Sequence, residues 1–381
     1  MLQFERSEYD ARLGALRAEM AARGLHGMLL FAPESQYWLT GYDTFGYCFF
    51  QCLVVTGDKM ALLTRSADLR QAQLTSVVDD VRVWRDGAGA DPSEDLWTML
   101  ADMGMSGTRL GWEIDTHGLT ALNGGRVAAR LDGRADLVDA SDLVSRLRLV
   151  KSPAELAYVR RAAEIGDAAY DAALPLIRAG AEEADILAAL QGEVFALGGD
   201  YPANPAIIGS GDHALLCRYQ AGRRRLEARD QITLEWAGVR AHYHAALMRT
   251  VAVGAARPEH VAMHAAAQEA LLACEEAMRP GRAMSEVFDA HARVLDARGL
   301  SRHRLNACGY ALGARFAPSW MEREMFYDGA PTVMAPGMVF FIHMILMDSD
   351  SGTAMCLGRS SVVTEAGAEG LSRLPTGLEV R

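Results

Sequence analysis

Apolar side chains recur along the chain at two spacings, and the switch between them outlines a succession of helices and strands. From Arg6 to Arg23, the residues Tyr9, Leu13, Leu16 and Met20 fall three or four apart, on one face of a helix, and Gly24 stops the run. Gly27-Met28-Leu29-Leu30-Phe31 is a short unbroken apolar stretch and predicts a buried strand. Cys52–Thr56, Met60–Leu63 and Arg109–Trp112 read as further strands. Helix followed by strand continues less clearly to about Asp142, which predicts an α/β domain with a mixed sheet.

Leu149-Val-Lys-Ser-Pro-Ala-Glu is a boundary signal. Ser152 can cap a helix, Pro153 suits its first turn, and Glu155 completes a capping box. The division expected is 1–148 and 149–381. A long helix should follow to about Ile177, with Gly180 past its end, and a second from about Glu182 to Leu197, closed by Gly198-Gly199. Strand patterns begin near Ala206 and dominate to Val253. Helices over about Pro258–Met278 and Met284–Arg298 then precede a strand-rich last third. Helix pairs alternating with hairpins predict an α+β unit whose second half repeats the first. Ile232–Ala237 and Ala241–Val253 read as a hairpin turned near Gly238-Val239-Arg240, so alternation puts His242, His244, Ala246 and Met248 on one face.

The 381 residues suffice for two domains with their own cores, and 50% hydrophobic with 23% charged residues is the balance of a folded globule. A net charge of -11 argues against nucleic acid as the main partner. The one basic cluster, Arg223-Arg224-Arg225, reads as a solvated loop. No stretch approaches the roughly 18 to 20 uninterrupted apolar residues of a membrane span, and the opening MLQFERSEYDARL has no apolar signal core. A cytoplasmic protein without a membrane partner is expected. Six scattered cysteines, at 48, 52, 217, 274, 308 and 356, should be reduced and mostly buried, because Cys48-x3-Cys52 has no second half to complete a zinc site.

Three segments carry chemistry: Ile232–Thr250 (ITLEWAGVRAHYHAALMRT), Gly309–Gly313 (GYALG), and APGMVFFIH from Ala335 with SSVVTEAG beyond it. They resemble the pita-bread family of aminopeptidase P, creatinase and prolidase. In that family's metallopeptidases these places read approximately D-x-G…Y-x-S-D-x-T-R-T, G-H-x-x-G, P-G-M-x-x-x-x-E and E-D-x-x-x-V-T-E. The resemblance implies a creatinase-like N-terminal domain, a pita-bread catalytic domain and a homodimer. The family's metal ligands, two Asp, one His and two Glu, fall on Glu235, Ala246, Tyr310, His343 and Gly358, of which only Glu235 is still a carboxylate. Two adjacent cations need several oxygen or imidazole donors, including bridging carboxylates, so no metal and no other cofactor is expected.

The metal-independent branch, with creatinase and ectoine hydrolase, is similar over nearly the whole chain. The stretch Glu8-Tyr9…Met20…Arg23-Gly24-Leu25, Trp38-Leu-Thr-Gly-Tyr42-Asp43, Gln51-Cys52, Gly199-Asp200-Tyr201-Pro202, Leu234–Gly238, Tyr243-His244, Gly309-Tyr310 and Pro318–Arg323 resemble ectoine hydrolase in the same order. At one place the chain departs. Where creatinase and ectoine hydrolase carry an acid–base histidine, Ser210-Gly-Asp-His-Ala-Leu-Leu-Cys217-Arg218 ends on arginine, which stays charged and cannot shuttle a proton in that way.

The expected activity is hydrolysis of a C–N bond in a small polar molecule, a cyclic amidine or guanidino acid similar to ectoine or creatine. Glu235 would attack the electrophilic carbon or activate water against it. Desolvation by apolar neighbours such as Leu234 and Trp236 would raise its pKa, while Arg218 would lower it. His343 or His244 would move protons, a role that suits imidazole's near-neutral pKa. Tyr310 would orient the amidine, and Arg218 would hold a substrate carboxylate. His242, Tyr201 and Trp320 would line the pocket, with Trp38, Tyr42 and Phe45 closing it from a neighbouring subunit. The duller alternatives are a Glu235–Arg249 ion pair, buried neutral histidines and core aromatics. A metal-dependent Xaa-Pro peptidase and a non-catalytic small-molecule binder are the rival functions.

Overall fold

The computed structural model describes residues 2–218 and 223–381, and the chain divides into two compact units, one ending at Arg148 and one beginning at Leu149. Among the described residues, no helix is long and apolar enough to cross a membrane.

The first unit alternates helices α1 (Arg6–Ala22), α2 (Pro33–Thr40), α3 (Leu69–Thr75), α4 (Pro92–Asp102), α5 (Ala121–Leu131) and α6 (Asp142–Leu149) with strands β1 (Gly27–Leu30), β2 (Cys52–Thr56), β3 (Met60–Arg65), β4 (Asp80–Trp84), β5 (Arg109–Trp112) and β6 (Asp136–Asp139). The sheet runs β4-β3-β2-β1-β5-β6 and is mixed, antiparallel through β1, β2 and β3 and parallel at its outer pairs. Its central strands read as unbroken apolar runs because both faces are covered. Leu30, Leu53, Val55 and Leu62 pack with Leu16 and Met20 of α1, whereas Leu29, Val54, Ala61 and Leu63 pack with Leu96 and Met99 of α4 and Val127 of α5. Buried Glu113 accepts from Phe31 N at 3.0 Å, Ala32 N at 2.9 Å and Ser35 Oγ at 2.6 Å, and so fixes the start of α2. Desolvation pushes its pKa up to about 7.

The second unit opens with α7 (Pro153–Ala173), and both capping-box bonds form between Ser152 and Glu155. The helix stops short of the expected Ile177, because Pro175 cannot donate to the helical ladder and the chain tightens into a 3-10 turn over Leu174–Leu176. Then come α8 (Glu183–Ala196), β7 (Ile207–Ser210), β8 (Asp230–Arg240), β9 (Tyr243–Val253), α9 (Pro258–Ala277), α10 (Met284–Ala297), β10 (Ala307–Ala311), β11 (Met325–Tyr327), β12 (Val339–Asp348) and β13 (Thr353–Thr364). The main sheet path is β11-β10-β12-β13-β9-β8-β7. Two helices followed by three paired strands (β7, β8, β9 and β10, β12, β13) thus occur twice, with β11 added at the edge of the second set, and the halves meet where β13 pairs with β9. One sheet face is covered by helices: Ile232, Leu234, Trp236 and Leu247 pack with α7 and α8, and Phe340, Ile342, Met344 and Leu357 pack with α9 and α10.

The β8–β9 hairpin corrects the expected turn. β8 continues through Gly238 to Arg240, and Ala241 and His242 form the two-residue turn, with φ of 50° and 61°. Two-residue turns with both central φ positive match the twist of the flanking strands. Gly238 remains in the strand because α7 crosses it closely. A Cβ there would fall 1.9 Å from Ala162 O and 2.3 Å from Gly166 N. Trp236 Nε1 donates to Gly166 O at 2.8 Å, and its ring stacks on Tyr170 at 5.0 Å. Gly238→Ala should therefore destabilise the protein by on the order of 3 kcal/mol in urea unfolding. Gly192→Ala, in an exposed helix position with open space around it, should stabilise it by about 0.5–1 kcal/mol.

Candidate active site

Residues directly opposite in an antiparallel pair share a face, so the sheet register assembles a row from distant parts of the sequence. Ile207 pairs with Glu235, Glu235 with Met248, Met248 with Gly358, and Gly358 with His343. One step along the strands on the same face lie Ala237, Ala246, Ser360, Phe341 and Tyr310, through the pairs Ala237–Ala246, Phe341–Ser360 and Tyr310–Phe341 and the Ser360 Oγ bond to Ala246 O. Leu234, Trp236 and the even-numbered residues of β12 point the other way, to the helices. All five positions matched to ligands by resemblance therefore stand on the face that the helices leave open.

Glu235 is 6% exposed. Its neighbours form an apolar pocket from Ile207, Met248, Ile345 and Cys356 on the sheet and Ala214, Leu216 and Cys217 on the loop after β7. Thr233 and Leu234 border the pocket as well, whereas Trp236 does not and packs in the helix-side core. Tyr310 Oη donates to Glu235 Oε1 at 3.3 Å, and Trp320 Nε1 donates to Tyr310 Oη at 2.8 Å. Desolvation pushes the Glu235 pKa up to about 7, against the opposing pull of the Arg218 charge and the Tyr310 hydrogen bond. Burial likewise raises the Tyr310 phenol well above its usual value. Glu183 on α8 holds the base of the loop that carries Cys217 and Arg218. It accepts from Ser210 N at 2.7 Å, Ser210 Oγ at 2.5 Å and Arg224 N at 3.2 Å. The basic cluster is partly tied down as well, with Arg224 on Asp230 and Glu227 and Arg225 on Glu182.

The other candidates are placed less uniformly. His343 stands beside Tyr310, ring centroids 5.6 Å apart, and its buried Nδ1 has no hydrogen-bond partner among the described residues. His244 lies four residues along β9 from Glu235's partner Met248, roughly 13 Å at about 3.3 Å per residue. Its Nε2 accepts from Ala203 N at 3.0 Å, which puts the ring proton on Nδ1. Burial pushes both imidazoles down to about 3, so at neutral pH they are uncharged rather than poised to titrate. His242 sits in the turn, not on the strand, and stacks on Phe316 at 4.1 Å. Arg249 donates to Met248 O and Gly358 O, both at 2.8 Å, and pairs across the hairpin with Leu234 on the other face, so the ion pair with Glu235 does not form. Arg218 is exposed but acts electrostatically on Glu235, Tyr310 and His343. Trp320 is buried against Tyr310, whereas Tyr201 is 82% exposed and meets Phe195 edge-on at 4.9 Å. In the first unit, Trp38 and Tyr42 belong to the core, and Phe45 is 80% exposed.

Sequence reasoning passed over Cys217 and Cys356. The signal was available for Cys356, two residues before Gly358 and hence on its face. Cys217 reaches the pocket by loop geometry that no periodicity encodes.

The profile of metallopeptidase family M24 matches residues 157–365, and that of the creatinase/prolidase N-terminal domain matches residues 12–150. The chain belongs to metallopeptidase family M24. Within this hydrolase family it is 28% identical to ectoine hydrolase from Halomonas elongata over 400 residues, covering 100% of this chain and 99% of that one. It is 26% identical to an Xaa-Pro dipeptidase from Pyrococcus furiosus over 232 residues, 61% of this chain and 65% of the relative. The fold is that of dipeptidase PepE from Mycobacterium ulcerans (TM-score 0.85, 24% identity, 99% of both chains) and of X-Pro aminopeptidase from Thermotoga maritima (TM-score 0.84, 19% identity, 97% and 99%). The α/β and pita-bread expectation is borne out.

The donor set does not fit the dinuclear centre of M24 metallopeptidases. Ala246 and Gly358 bring no donor atom, and a Cβ at 358 would already lie 2.8 Å from Phe341 Cε2, so that ring occupies the space a longer side chain would need. Tyr310 is protonated and bonded to Glu235. Among the described residues, no group of three or more His, Cys, Asp or Glu is arranged to hold a metal ion.

The raised Glu235 pKa has a signed consequence. Its protonated form is favoured in the folded state, so this contribution to stability is complete below about 4.5 and is lost as pH rises through about 7. Urea unfolding from pH 4.5 to 8 should show wild type losing about 3 kcal/mol relative to Glu235→Gln across that interval.

Proposed function

We propose that this protein is a metal-independent hydrolase that opens a C–N bond in a small polar substrate, a cyclic amidine or guanidino acid similar to ectoine or creatine. The observation that carries the reading is Glu235, a single carboxyl group in an apolar pocket, titrating near neutrality and hydrogen-bonded by Tyr310. In its ionised half it can attack the carbon between two nitrogens or take a proton from water aimed at that carbon; in its protonated half it can return a proton to the leaving nitrogen. Neutral His343 offers ring nitrogens that can hold an amidine N–H without changing charge. Arg218, exposed and near enough to act on Glu235, supplies a cation for a substrate carboxylate. The whole-length similarity to ectoine hydrolase supports the same substrate class. Xaa-Pro cleavage in the dipeptidase manner would call for the metal donors that positions 246 and 358 lack.

Mass spectrometry after incubation with compatible solutes, cyclic amidines and guanidino acids should reveal one that is consumed, at a rate unchanged by prior chelation. Xaa-Pro dipeptides with added manganese should remain intact. Glu235→Gln should keep binding, read as ligand-induced thermal stabilisation, and lose at least about a thousandfold in kcat. An active Gln variant removes Glu235 from the mechanism, and stabilisation without product assigns a binder. With the ionised carboxylate as the working form, kcat should rise with pH through a midpoint near 7.

A further inference from the structure

Trp320 was expected to line a substrate pocket, yet it is 1% exposed and its one polar atom is already committed. Nε1–H donates to Tyr310 Oη at 2.8 Å, and an indole N–H can only donate. It therefore fills acceptor capacity on the phenol oxygen and leaves the phenol proton to be given to a third group. The acceptor in place is Glu235 Oε1, at 3.3 Å. That distance is long for an O–H···O bond, so the contact depends on how the phenol is oriented and polarised, which the indole donor governs. Trp320 is itself held, its backbone N donating to Asn204 Oδ1 at 3.2 Å and its ring flanked by His244, centroids 6.1 Å apart.

We infer that Trp320 is a positioning residue: acting through Tyr310, it directs a hydrogen bond onto Oε1 of Glu235 and leaves Oε2, which accepts none among the described residues, as the oxygen that reacts. The inference rests on Glu235 being the reactive carboxyl group. Other charged or titratable groups bearing on Glu235 and its partner are Arg218 and Cys217 from the loop after β7, Cys356 from β13, and His343 from β12, whose ring lies 5.6 Å from that of Tyr310. None of them touches Trp320 through a hydrogen bond, so a change confined to its N–H isolates the relay.

The test is substrate-free. Infrared difference titration of the full-length protein should show carboxyl absorbance changing near pH 7 from Glu113 and Glu235 together, and the component lost in Glu235→Gln gives the Glu235 midpoint. Replacing the Trp320 indole with the isosteric benzothienyl ring, which lacks the N–H, should move the midpoint up by roughly 0.5 to 1 pH. Tyr310→Phe should move it at least as far, and the doubly altered protein no further than Tyr310→Phe alone, since one group acts through the other. A midpoint indifferent to the benzothienyl ring, or shifts that add, overturns the relay while leaving Glu235 in place. Identical carboxyl titrations of wild type and Glu235→Gln, with no component lost, overturn the reading of Glu235 itself. If Tyr310→Phe does not fold, the shift with the benzothienyl ring decides alone.

Discussion

Antiparallel pairing locks side chains into rows, and the second unit depends on one such lock, the register that runs from β7 through β8, β9 and β13 to β12. Because successive residues alternate faces, a one-residue slip of β8 would exchange Glu235 for Leu234 or Trp236, burying a carboxyl group among α7 and α8 and exposing core residues. The register is fixed where α7 crosses the hairpin at Gly238, so closely that backbone meets backbone. The packing of α7, through Ala162, Gly166 and Tyr170, thereby bears on which side chains stand together on the far side of the sheet.

On that far side, burial works against a single acid with only partial compensation. Arg218 and Tyr310 favour the carboxylate, the apolar walls favour the carboxylic acid, and desolvation prevails far enough to bring the two forms near balance at neutral pH. The same burial acts in the opposite sense on imidazole, so His244 and His343 are held neutral. A site with one titrating acid, neutral imidazoles and a single nearby guanidinium differs in kind from one in which several carboxylates offset two cations. Positions 246 and 358 carry no donor atom, and the Phe341 ring occupies the room beside Gly358.

Much of this was legible from residue order. Helices and strands announced themselves by spacing, the Ser152–Glu155 capping box opened α7 as expected, and the motif positions identified Glu235, Tyr310 and His343, which do share one face. The hairpin turn was misplaced because Gly238 looked like a turn residue; its small size serves the passage of α7, and the turn falls instead on Ala241 and His242, whose positive φ no local pattern advertised. His242 left the strand face for that reason.

By itself, then, the sequence determined the elements, the family and the short roll of polar residues available for chemistry, because periodicity, caps and motifs are local properties of the chain. Only the tertiary structure decided that Trp320, Tyr310 and Glu235 form a hydrogen-bonded series, that Cys217 borders the acid, and that His244 is tied to the Ala203 backbone. Tyr310 and Glu235 are 75 residues apart, so their contact follows from strand pairing at long range. Protonation is equally non-local: it is set by how much water the surrounding atoms exclude, a quantity that exists only once the chain has closed around the group.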